Sequence, residues 1–175
     1  MGFGKVLTTC ALTLAVAACN PATQQAMRDG LRSGAALEEL AISGSALAQI
    51  EQTSVSRSKQ QVIASLEEFS RQCLAMSVQY GRFVGDAAIQ NDYVPVITEE
   101  DGITRHVLFR KAGGHSTVQL SDAGRGYNAA ASTRIVSTGP TSTQLTVTTT
   151  LGMANYAAAL VKAANGEGIL CPRLA

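Results

Sequence analysis

The sequence predicts an α+β domain: a small antiparallel sheet of about four strands in two hairpins, with a long helix before it and a short helix after it, packed on one face. Three observations carry this expectation. Apolar residues from Val62 to Tyr80 recur at helical spacing. Two turn signals, around Asp101-Gly102 and Gly139-Pro140, each separate runs rich in β-branched residues. A final run from Met153 to Ala164 returns to helical spacing and ends on Asn165-Gly166, which suits a C-cap.

The chain opens on Met1 and Lys5, a short positive stretch, followed by Val6 to Ala17 without a charge. A bilayer-spanning helix needs about 20 residues. This run is shorter and fits the apolar region of a secretory signal peptide. It ends in small residues and a cysteine, Val16-Ala17-Ala18-Cys19. That stretch resembles the lipobox of bacterial lipoproteins. The resemblance implies that residues 1–18 are a signal peptide and that Cys19 is lipidated and becomes the first residue. Cys10 has no small residues leading up to it and leaves with the signal. Asn20, rather than Asp, follows the cysteine. For a Gram-negative source, the resemblance then implies the outer membrane, on its periplasmic side. One acyl chain holds a bilayer only marginally, and stable attachment takes more than one. A triacylated Cys19 therefore needs no further membrane segment.

Cleavage before Cys19 leaves 157 residues, Cys19 to Ala175, enough for one domain with a tether. A chain of this size buries roughly 68–70 % of its unfolded surface. The whole sequence holds 14 basic and 13 acidic residues, and Lys5 is lost with the signal. The balanced remainder, with no long run of one sign, argues against a nucleic-acid surface. Tryptophan is absent, so Leu, Val, Ile and Ala must build the core. Cys73 and Cys171 remain as thiols, and two thiols in an oxidising compartment predict one disulfide. It would pin the C-terminal tail to the middle of the long helix. Two Cys and two scattered His lack the spacing of a metal site, and no cofactor motif is present.

Residues 19–57 read as a lipid-proximal tether with helical pieces, rich in Ala, Gln, Ser and Gly. Residues 58–175 read as the single α+β domain. Val62, Leu66, Phe69, Cys73, Met76 and Tyr80 share one helical face. Ser58 and Gln61 resemble a capping box, and Gly81 is a natural stop. The spacing thus predicts a helix from about Ser58 to Tyr80, packed on a sheet. The first hairpin joins 93–98 to 103–110, with Pro95 at an edge or strand end. Ile103, Val107 and Phe109 share a face with Arg105, and His106 shares the other with Leu108 and Arg110, so neither face is purely apolar. Residues 117–120 suit a short strand and 121–127 a loop. The second hairpin joins 129–137 to 143–151. In it Leu145 and Val147 point to the core, while Thr146 and Thr148 face water.

Few groups suggest chemistry. His106 and His115 are the near-neutral titratable residues. His115, Ser116 and Asp122 are neighbours in sequence, but catalytic triads assemble from distant positions. Glu99, Glu100 and Asp101 form an acidic hairpin tip, which reads as a solvated turn. Gly124-Arg125-Gly126 lacks the following helix that a phosphate cradle needs. Thr146 to Thr150 would offer a partner a strand if it lay at a sheet edge. No catalytic residue is assigned. The expectation is a non-enzymatic envelope lipoprotein, an accessory or scaffold anchored in the lipid bilayer through acylated Cys19 and meeting another envelope protein. The alternatives are a small-ligand binder, with a pocket between sheet and helices, and a hydrolase using His115 or His106.

Overall fold

The computed structural model describes residues 34–44, 46, 48–75, 78–80, 92–111 and 127–174. In chain order the elements are α1 (Gly34–Ile42), β1 (Ala48–Val55), α2 (Lys59–Cys73), β2 (Gln79–Tyr80), β3 (Tyr93–Glu100), β4 (Ile103–Lys111), β5 (Tyr127–Gly139), β6 (Ser142–Thr150) and α3 (Ala154–Asn165). The sheet runs β1-β6-β5-β4-β3-β2. Five strands are antiparallel, and the two-residue β2 lies parallel to β3.

The α+β class and both hairpins match the expectation, but the strand count and the helix arrangement do not. The sheet is wider than four strands, because the stretch around 48–55, read as tether, is an edge strand against β6. Helices cover both faces rather than one. On one face α2 and α3 pack with Val55, Leu108, Ile135, Leu145 and Val147. On the other, Leu37 of α1 packs with Val94, Val96, Val107 and Phe109. This explains the mixed faces of β4: both are buried, and Arg105 pairs with α1 while His106 pairs with α2.

The start of α2 follows its local sequence. The Ser58 side chain accepts from the Gln61 backbone N–H at 3.4 Å, and the Gln61 side chain accepts from the Ser58 N–H at 3.0 Å. The reciprocal bonds satisfy donors that the first helical turn leaves open. Val62, Leu66 and Phe69 are buried as the spacing requires. The helix ends at Cys73, not at Tyr80. Leu74 caps it and Ala75 turns left-handed, with φ +51°. Tyr80 then joins β2 and is largely exposed. Where α2 and α3 meet, Phe69 and Tyr156 stack edge-to-face with centroids 5.7 Å apart.

Each hairpin closes where its turn residues say. Asp101 and Gly102 both have positive φ, +52° and +74°, which the two-residue hairpin turn requires. Pro95 lies within β3, opposite Leu108, and is buried. Its missing N–H costs no ladder bond to β2, which pairs only with Val96 and Ile97. The β4–β5 register shifts at Leu108/Phe109. That bulge brings both Ala130 and Ala131 into the core under α2 and α3. Thr146 to Thr150 is not an edge: β6 lies between β1 and β5. Nor is its second face simply wet, since Thr148 is fully buried.

Candidate functional site

Two buried polar clusters flank β4, one on each face of the sheet. Under α2, Ser70 Oγ lies 3.0 Å from His106 Nε2, and both residues are buried. Burial pushes the imidazole down to about 4, outweighing a smaller opposing pull from its own backbone. His106 is therefore neutral at neutral pH. Among the described residues its Nδ1 has no hydrogen-bond partner, and neither do Thr104 Oγ1 and Thr133 Oγ1 on the same sheet face. Tyr156 OH is also buried without a partner among the described residues, and burial raises its pKa. Apolar side chains of α2 and α3 seal this face, so the histidine meets no solvent.

Under α1, Glu38 Oε1 accepts from Arg105 Nε at 3.2 Å and from Ser132 Oγ at 2.9 Å. Both charged side chains are about nine-tenths buried. Gly34 makes this docking possible. A Cβ there would meet Ser132 Oγ and Val107 Cγ2 at 2.6 Å each. The next residue across the sheet from Arg105 is Arg134, directly opposite on β5, and Thr146 of β6 follows it. Arg134 is half-buried, and among the described residues its Nε has no hydrogen-bond partner.

Cys73 and Cys171 lie at disulfide distance, with Cα atoms 4.9 Å apart. The link joins the tail to the last residue of α2 rather than to its middle. Arg57 ties the same end of the domain together. Its Nη1 donates to the Ala164 carbonyl at 2.9 Å and to Ser65 Oγ at 2.8 Å, and its carbonyl accepts from Thr143 Oγ1 at 2.7 Å.

The acidic tip is solvated as expected. Glu99, Glu100 and Asp101 are exposed, and Glu99 approaches Lys59 at 3.9 Å. Among the described residues no cluster of His, Cys, Asp and Glu is arranged to hold a metal. Nor is any helix among them long and apolar enough to cross a membrane. The lipobox with Cys19, the candidates His115, Ser116 and Asp122, the strand expected at 117–120 and Gly124-Arg125-Gly126 lie outside the described residues. Sequence reasoning missed Glu38, Ser132 and Arg134. The one signal was Arg105 among apolar neighbours in β4, a charge whose partner comes from a helix assigned to the tether.

No family model matches the chain, and no curated protein matches it. Among solved structures it is similar to the one titled "Crystal structure of Ara h 8.0201", at 14 % identity, covering 69 % of this chain and 95 % of that one, with a TM-score of 0.31. At that score the likeness carries no argument.

Proposed function

We propose that the chain is a membrane-anchored envelope lipoprotein, acylated at Cys19, that acts as a non-enzymatic accessory or scaffold component. The single observation that carries this reading is Val16-Ala17-Ala18-Cys19 placed directly after an uncharged apolar run near the start of the chain. A paired Cys73 and Cys171 supports it, because disulfides persist in oxidising compartments. The filled interface between the sheet and α2/α3 also supports a scaffold over a binder with its pocket there. Leu66, Phe69, Leu108, Tyr156 and Leu160 occupy that space with almost no exposure. His106, enclosed and neutral, offers little to a hydrolase.

The anchor is tested by labelling the full chain with a radioactive or alkynyl fatty acid in a bacterial host. Label should enter the wild type and be lost in Cys19→Ser. Equal labelling of both, or of neither, overturns the anchor. The scaffold role is tested by cross-linking in intact cells before detergent extraction. One dominant envelope protein should co-purify. A protein recovered only as a free monomer overturns that role.

A further inference from the structure

We propose that the sheet face beside α1 holds a binding site for a single oxyanion, a carboxylate or phosphate group, with the Arg134 guanidinium as its main contact. The proposal goes beyond the anchor reading and does not rest on it.

The argument starts from register. Arg105 and Arg134 are direct cross-strand partners on the face that α1 partly covers. Side chains so placed are close neighbours, and like charges directly opposite each other are destabilising. Glu38 compensates one of the two, through Arg105. Its Oε1 also accepts from Ser132, which fixes the carboxylate toward Arg105. Among the described residues Arg134 makes no ion pair. Of the strand carboxylates, Glu51 and Glu99 belong to the opposite face, and Glu100 stands two strands from Arg134 at the hairpin end. Among the described residues, then, Arg105 has a carboxylate partner and Arg134 has none.

Two buried donors point the same way. Arg134 Nε is buried with no acceptor among the described residues. Thr148 Oγ1, on the same face and two positions from Arg134's partner Thr146, is likewise buried with none. Leaving a buried donor unmatched is costly, more so for a charged group. An oxyanion resolves the orphaned donor and the Arg–Arg opposition together. Arginine suits it because its planar fork matches carboxylate and phosphate oxygens two at a time. Arg134 is half-buried, so its outer nitrogens remain within reach of solvent while the inner one is shielded. Shielding is what separates this arginine from an ordinary surface one, since exposed ion pairs are worth little. Thr146 beside it supplies a neutral hydroxyl rather than a competing acid.

The test uses the full chain in neutral detergent micelles with arginine side chains labelled for NMR. Inorganic phosphate, acetate and chloride are titrated separately at constant ionic strength. Phosphate and acetate should shift the Arg134 Nε–H signal saturably and raise the melting temperature, and chloride should do neither. Arg134→Gln should abolish the rise in melting temperature, while Lys59→Gln on the opposite face keeps both the signal shift and the rise. Equal responses to all three anions, or a response that survives Arg134→Gln, overturns the site. If phosphatidylglycerol micelles compete with phosphate for the same signal, the group belongs to a lipid headgroup; competition only by free anions places it on a small acid.

Discussion

Ser70 of α2 and His106 of β4 are joined across the helix–sheet interface by a 3.0 Å contact between Oγ and Nε2, in a layer without water access. The imidazole is held neutral there, from an ordinary value of 6.5 down to about 4. In the unfolded chain the same ring takes up a proton as pH falls through 6.5. Between pH 6.5 and about 4 the unfolded state thus binds more protons, and stability falls with falling pH. The full loss is about 3 kcal/mol. Urea unfolding across this window should show the slope, and His106→Phe should flatten it. An unchanged slope in the variant would place the pH dependence elsewhere.

Ser70→Ala removes the hydroxyl but keeps the helix. It leaves His106 with neither ring nitrogen paired, at a cost of about 1–3 kcal/mol. Chemical denaturation at neutral pH checks this.

Breaking the Glu38–Arg105 pair should be more damaging. Glu38→Ala strands a buried guanidinium beside Arg134, and loss of one partner of a buried pair costs about 3–5 kcal/mol. Gly34→Ala should act on the same contact from above, because the added Cβ meets Ser132 and Val107. Overpacking of this kind costs about 1–3 kcal/mol. Hydrogen exchange should localise the Gly34→Ala loss to α1, with α2 and α3 protected as before.

Reduction of the Cys73–Cys171 link should lower stability by an amount that grows with the logarithm of the loop it closes. The two cysteines are 98 positions apart. In the chain-entropy model a loop of that size contributes about 4–5 kcal/mol, an upper figure because native strain subtracts from it. Denaturation midpoints with and without reductant measure the difference, and Cys73→Ser with Cys171→Ser should reproduce the reduced value.

Arg57→Ala should fray the end of α3. Its guanidinium satisfies the Ala164 carbonyl in the last helical turn, where a cation also complements the helix dipole. The expected loss is about 1–3 kcal/mol. Amides near Gly166 should exchange faster while those of α1 stay unchanged.

What was legible in the sequence was local. Ser58 and Gln61 bond to each other within one turn, and Asp101-Gly102 sets its own hairpin, so both read correctly from neighbours alone. The β1 strand was not legible. Ala48–Val55 has no clean alternation because an edge strand is mostly exposed, and only pairing with Ser142–Thr150 makes it a strand. The length of α2 was over-read because Cys73, Met76 and Tyr80 continue the helical period past the point where Ala75 turns the chain. The oxyanion candidate was out of reach for a different reason. Arg105 and Arg134 become neighbours only through register, and Glu38 meets them only once α1 lies across the sheet.

The sheet order also sets a timetable for assembly. Among the described strands the first lies at one edge of the sheet, and its partner is the last. A chain that emerges N-terminus first must wait for nearly all of itself before Ala48–Val55 can dock. Closing so long a loop is entropically slow, and pairings of high sequence separation slow folding. The β3–β4 and β5–β6 hairpins can form as soon as each is made, whereas the sheet is finished by its oldest segment. A chain cut short before Ser142 would therefore keep an unpaired strand at its front, and with it a lasting competence to be unfolded, threaded or degraded.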